Sequence, residues 1–335
     1  MTQAKTIVLS LAMALVVATG CRSFPIATPA MPRKSIPSPQ PRPDSKPITG
    51  VGILGDSSSD EYRADDNRGG PYAATTLNWV EQLVQSRGLN FGPWGTWGEP
   101  RRTGYKYNWS RSGATAQSLI DSGAHLGLAR QVANGEVSHV FIWIGGNDFA
   151  TWNNTYANIY NGLVSNAELQ ARIESIVANI SLAVDTVQQA GRVPMVMVAL
   201  GDRGIAPDAI GQFPDATKRQ RVTDAVNAVN EGLETLAAAR GIELIDVNSF
   251  AISLRNRIDQ NGVMRIGGQA IDLFGYGKEP HMGRLDDDDG HAGTVFSGLI
   301  ANALFLEPFN RAYGTGLAPL TDEEILRAAG MAGGR

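Results

Sequence analysis

The chain has 335 residues, of which 43% are hydrophobic, 19% charged and 38 glycine, a composition with enough apolar mass for a large core that excludes a wholly disordered chain or a collagen-like repeat. The formal net charge is −4, from 29 basic and 33 acidic residues, a balance that gives no pull toward nucleic acid. The single cysteine, Cys21, excludes an intrachain disulfide and any Cys-x-x-Cys metal or redox motif.

Residues 7–18 form an apolar run broken only by Ser10, preceded by Lys5. As a helix this run is about 18 Å long, too short to span a bilayer, which needs about 20 residues. It has the length of a signal-peptide core. The small residues Ala18, Thr19 and Gly20 lead into Cys21, and Val17-Ala18-Thr19-Gly20-Cys21 resembles a bacterial lipobox. That resemblance implies a lipoprotein signal peptide over residues 1–20 and lipidation of Cys21. It also implies export to the bacterial cell envelope, with the chain held on a membrane by its lipid. Residues 21–48 carry eight prolines, among them Pro25, Pro37 and Pro47, and read as an extended tether. A folded domain is expected over residues 49–309 and a C-terminal tail over 310–335.

Within the domain, residues 51–54, 139–144, 193–200 and 242–247 are continuous apolar runs of the kind found in parallel strands covered on both faces. Helices are expected between them. Residues 167–190 place Leu169, Ile173, Ile176, Ile180, Val184 and Val187 at helical spacing, with Ser165 and Glu168 as a capping box. Residues 215–240 place Val222, Val226, Val229, Leu233 and Leu236 likewise, and Gly241 is a C-terminal stop. A weaker helix is expected over 115–133, a strong one over 293–306 and a short one over 323–329. The alternation predicts a single three-layer α/β/α domain around a doubly wound, mostly parallel sheet. Ligands bind such sheets at the carboxyl ends of the strands.

Three segments after strands, or late in the chain, carry candidate chemistry. Gly55-Asp56-Ser57 follows the first strand, where a serine is either a helix cap or a nucleophile. Gly145-Gly146-Asn147-Asp148 follows the second and reads either as a turn or as an amide donor aimed into the crevice. Asp286-Asp287-Asp288-Asp289-Gly290-His291 fails the EF-hand template, because His291 and Ser297 stand where glycine and glutamate belong. An aspartate three residues before His291 suits an acid–imidazole pair instead. His281 is the rival base. His125 and His139 lie in a helical stretch and at a strand start and read as structural.

Together these segments resemble the SGNH (GDSL-type) hydrolases over residues 50–306, and the resemblance rests on four blocks in order: Gly55-Asp56-Ser57, Asn108-Trp109-Ser110-Arg111-Ser112-Gly113-Ala114-Thr115, Gly145-Gly146-Asn147-Asp148 and Asp288-x-x-His291. It implies a flavodoxin-like SGNH fold and a serine esterase acting through an acyl-enzyme. Ser57 is then the nucleophile, His291 the base and Asp288 its acid, with Asp287 and Asp289 as alternatives. The oxyanion hole comprises the N–H groups of Ser57 and Gly113 and the amide of Asn147. No metal and no organic cofactor are implied. Two positions depart from the family pattern: Ser58 stands at the GDSL leucine, and Ala292 where proline often follows the histidine.

The substrate is read from a long insertion, residues 61–107, rich in Tyr and Trp with Arg101 and Arg102, and from Phe149, Trp152, Tyr156 and Tyr160. Such rings suit a sugar face or an acyl chain, or pack their own loops. The expected partner is a small-molecule or polysaccharide ester, with O-acylated carbohydrate preferred. The alternatives are a lipase or short-chain acyl esterase, a non-catalytic envelope binding module, and a calcium-dependent surface protein using residues 286–289.

Overall fold

The computed structural model describes residues 47–64, 67–286 and 290–331. Cys21, the signal peptide and most of the tether lie outside the described residues, as do Asp287, Asp288 and Asp289.

In chain order the elements are β1 (Val51–Gly55), α1 (Trp79–Arg87), β2 (Trp94–Thr96), β3 (Thr103–Tyr105), α2 (Ala116–Asp121), α3 (Ala124–Ala133) and β4 (His139–Trp143). There follow α4 (Asn154–Asn161), α5 (Asn166–Ala190), β5 (Met195–Val198), α6 (Pro207–Gln212), α7 (Ala216–Arg240), β6 (Glu243–Ile245) and α8 (Val247–Arg255). Last come β7 (Val263–Ile266), β8 (Gln269–Tyr276), β9 (Met282–Arg284), α9 (Thr294–Ile300), α10 (Glu307–Tyr313) and α11 (Asp322–Ala328).

The central sheet has the order β1-β4-β5-β6, all parallel. On the free edge of β1, residues 107–111 run alongside it: Ile53 donates to Tyr107 O at 3.0 Å, and Trp109 donates back to Ile53 O at 2.9 Å. The chain therefore leaves β1 toward one edge and crosses to β4 on the other side. The carboxyl end of β1 is the switch point of the sheet, where open α/β sheets form their crevice.

Alternation along the strands builds the three layers. Leu54, Val140, Ile142, Met195 and Met197 face one core with α2, α3, α5 and α7. Val51, Ile53, Phe141, Val196, Val198 and Ile245 face a second core with α1, α9 and the C-terminal helices. The two long helices form where their patterns and caps placed them. Ser165 and Glu168 make the capping box of α5, and Gly241 ends α7 in the left-handed conformation.

Four expectations change. The helix expected over 115–133 is two, α2 and α3, separated at Ser122-Gly123, where Gly123 has φ +73°. The helix expected over 293–306 is α9 followed by a π-helical stretch, Ala301–Leu306, which runs on into α10. An antiparallel hairpin, β7–β8, with β9 parallel to β8, precedes the His291 segment. Residues 310–331, expected as a tail, pack Leu320, Ile325, Leu326 and Ala329 into the second core. No described helix is long and apolar enough to cross a membrane.

Candidate active site

Ser57 sits in the turn that leaves β1 and is 8% exposed. The turn is wound by its own backbone: Asp56 O accepts the N–H groups of Ser59 and Asp60, and Asp56 Oδ1 accepts that of Ser58 at 2.9 Å. Three neighbours pin it. Trp79 Nε1 donates to Ser58 O at 3.0 Å, Asn108 Nδ2 to Ser59 O at 2.8 Å and Asn78 Nδ2 to Asp60 O at 2.7 Å. Burial raises the Asp56 carboxyl above its ordinary range; hydrogen bonds from Ser58 and the nearby His291 act against that rise.

Asp60 also reaches across the crevice, accepting the Ser112 N–H at 2.8 Å. Gly113 follows, exposed, with φ +77°, a conformation that a side chain would strain by about 1–2 kcal/mol. Beyond β4, Gly145 at φ +108° opens a short 3-10 turn, Gly146–Phe149, that carries Asn147. Asn147 Nδ2 donates to Ala114 O at 2.9 Å, which uses one amide hydrogen and leaves the other. Asp148 Oδ2 accepts the Ala116 N–H at 2.9 Å. These two bonds bolt the Asn147 turn to the Gly113 segment. Burial, with a further push from Asp56, raises the Asp148 carboxyl to about 6.

His291 enters from a hairpin. Leu285 N donates to His291 O at 2.7 Å, Arg284 bridges to Ala292, and Gly293 N donates to Gly283 O at 2.7 Å. Arg284 Nη1 also donates to Gly290 O at 3.2 Å. Ala292, directly after the histidine, gives its carbonyl to the Tyr62 hydroxyl at 3.0 Å, and the Tyr62 ring stands edge-on to the imidazole at 6.4 Å. Arg68 Nη1 is 2.8 Å from His291 Nδ1, Arg68 Nη2 is 3.4 Å from Ser112 Oγ, and the guanidinium lies over the Tyr62 ring at 5.5 Å.

Ser57, Gly113, Asn147 and His291, found in four separate stretches of sequence, thus gather at the carboxyl end of β1 and β4. The Ser112 N–H is bonded to Asp60, and Arg68 lies between the Ser112 hydroxyl and His291. His125 and His139 are buried on α3 and β4, and His281 is exposed ahead of β9. Sequence reasoning had Tyr62 only as one of the insertion's rings, and it missed Arg68 and Glu81. Glu81 is fully buried, caps α1 with Asn78, and receives the Tyr62 N–H at 3.3 Å and Arg63 Nε at 2.8 Å. The pair Asn78…Glu81 was a readable capping box; Arg68 carried no motif.

Two clefts flank this centre. One, of about 230 Å³, begins at Gly55 and Gly113 and runs under Pro100; the other, of about 430 Å³, lies between Asn67–Gly70, Lys278 and Leu285–Asp286. A larger cleft of about 570 Å³, between α2, α4 and α5, meets the site only through Asp148. The aromatic residues divide. Tyr62, Trp79, Phe91, Phe149 and Tyr156 are core, whereas Tyr72, Trp94, Trp97 and Trp152 are exposed. Among the described residues no group of three or more His, Cys, Asp or Glu side chains could hold a metal.

The sequence matches the family model of the GDSL-like lipase/acylhydrolases over residues 51–302. It matches none of the curated proteins. Similar solved structures include a lipolytic protein of the G-D-S-L family from Veillonella parvula (17% identity, 75% of this chain and 93% of that one, TM-score 0.39). Another is an extracellular lipase from Streptomyces rimosus (18%, 61% and 82%, 0.37). A third is a variant of an acetyl xylan esterase from Geobacillus stearothermophilus (14%, 86% and 97%, 0.42).

Proposed function

The chain belongs to the GDSL-like lipase/acylhydrolase family and is an ester hydrolase, and on that premise we propose that it removes O-acyl groups from carbohydrate, with Ser57 as nucleophile. Ser57 Oγ attacks the ester carbonyl while His291 takes its proton. The oxyanion is held by the N–H groups of Ser57 and Gly113 and by the second Nδ2 hydrogen of Asn147. Each such donor is worth about 2.7–4 kcal/mol in the transition state. His291 returns the proton to the departing alcohol, and water then attacks the acyl-enzyme with His291 again as base. Asp288, three residues before His291 in sequence, is the proposed acid that steadies the imidazole.

The observation that carries this reading is the fixed amide of Asn147. Its bond to Ala114 O aims the side chain at the Gly113 segment, opposite the Ser57 turn. Neither the Ser57 nor the Gly113 N–H donates to another described residue, so both remain for a ligand. The carbohydrate preference draws support from the cleft beside His291. Asn67, Arg68, Lys278 and Asp286 give it a polar wall suited to a hydroxyl-rich alcohol rather than a lipid. Acetylated oligosaccharides tested beside p-nitrophenyl esters of rising chain length check the substrate. Faster turnover of long-chain esters than of acetylated sugars contradicts it.

We further propose that the enzyme is exported and held at the cell envelope by lipid on Cys21. The support is the position of the sole cysteine directly after the apolar run and small residues. Mass spectrometry of the mature N-terminus tests this; an unmodified or missing Cys21 refutes the anchor.

A further inference from the structure

The cleft that begins at Gly113 differs in chemistry from the one beside His291. Its apolar lining is Trp109, Ala114, Leu119, Ala124 and, as a roof, Pro100, with Glu99, Arg111 and three serines on the rim. The hydroxyls on its rim are already engaged. Ser118 Oγ serves the Thr115 N–H at 2.8 Å and the Thr115 carbonyl at 3.1 Å, and Ser122 Oγ donates to Leu119 O at 3.0 Å. Ser112 Oγ receives Arg68. Arg111 Nη1 is held by Glu99 Oε2 at 3.3 Å and by Pro100 O at 3.2 Å, which fastens the roof. A group entering this cleft meets a largely hydrocarbon surface whose rim hydroxyls are already engaged.

The stereochemistry of the tetrahedral intermediate selects the group. Its oxyanion faces the amide donors. Its leaving oxygen must lie toward His291, which protonates it. The acyl substituent takes the remaining direction. No residue lining the smaller cleft comes from the His291 segment or from the Arg68 loop, whereas Gly55, two residues before Ser57, and Gly113 do line it. Its volume of about 230 Å³ is below the range of about 300–1,000 Å³ usual for a drug-sized ligand.

We propose that this cleft is the acyl subsite and that its roof, supplied by the insertion at Glu99-Pro100 and clamped by Arg111, restricts the enzyme to esters of short aliphatic acids. The proposal rests on the Ser57 acyl-enzyme reading. The test measures kcat/KM for p-nitrophenyl acetate, butyrate, hexanoate and octanoate with the full chain and with Arg111→Ala. Glu99→Ala, at a side chain 72% exposed, releases the same roof if Arg111→Ala fails to fold. The wild-type profile is expected to fall by about tenfold or more from acetate to octanoate. Opening the roof is expected to raise the octanoate-to-acetate ratio by about fivefold or more. A flat or rising wild-type profile, or a ratio unchanged in both variants, overturns the acyl subsite while leaving Ser57 as nucleophile. A phosphonate that inactivates the enzyme without labelling Ser57 overturns the reading beneath it and the subsite with it.

Discussion

Arg68 Nη1 stands 2.8 Å from Nδ1 of His291. A guanidinium only donates, so this contact fits the tautomer with Nδ1 as acceptor and the ring proton on Nε2. A base that relieves Ser57 of its proton needs the opposite tautomer, with the proton on Nδ1 facing a carboxylate. On the proposed route Arg68 is then expected to move from the imidazole toward the alcohol part of the substrate in the polar cleft.

That displacement gives the first prediction. Arg68→Ala is expected to raise kcat on p-nitrophenyl acetate by roughly two- to tenfold, because no latch has to open. It is expected to raise KM for an acetylated oligosaccharide by about tenfold, because a donor to the alcohol is lost. Steady-state kinetics on both substrates check this. A loss of about a hundredfold on p-nitrophenyl acetate contradicts the latch.

Asn147 is held by one amide hydrogen, and the other is the proposed donor to the oxyanion. Asn147→Ala is expected to lower kcat by about 10²–10³ with KM little changed, the signature of a contact made in the transition state. Far-UV circular dichroism alongside the kinetics separates this from unfolding, since the Ala114 carbonyl also loses its partner.

Glu61 supplies a pH prediction. It is buried, accepts the Tyr105 N–H at 3.0 Å, and has an Oε2 atom without a partner. Burial, reinforced by the charge of Asp60, pushes its carboxyl up to about 8 from an ordinary 4.5. An acid with a raised folded-state pKa keeps a proton that the unfolded chain has released. Stability therefore falls as pH rises from 4.5 through 8, and the cost is complete above 8. Glu61→Gln keeps the size and the acceptor but cannot ionise. It is expected to flatten that fall and to exceed the wild type by a few kcal/mol above pH 8. Denaturant unfolding at pH 5, 7 and 9 measures it; parallel profiles contradict it.

Much of the scaffold was legible because its signals are local. The buried strands β1, β4 and β5 are unbroken apolar runs, and α5 and α7 carry both the periodic stripe and the caps. The β7–β8 hairpin also carried a signal that went unused. Gly267 and Gly268, both at positive φ, form its two-residue turn, but the strands beside it are short and interrupted by Arg265 and Asp272. The site divides in the same way. Ser57, Gly113, Asn147 and His291 fall in short motifs after strands. Tyr62 and Arg68 meet the His291 segment across 230 and 223 residues of sequence, and no pattern within the insertion encodes such contacts.

The central claim is that Ser57 forms the acyl-enzyme, and covalent trapping tests it most directly. The full chain is treated with a p-nitrophenyl alkylphosphonate, esterase activity is followed, and the modified peptide is located by mass spectrometry. Stoichiometric loss of activity is expected, with a single adduct on Ser57 and no labelling of Ser57→Ala. Inactivation with the adduct on a different residue, or full esterase activity in Ser57→Ala, contradicts it.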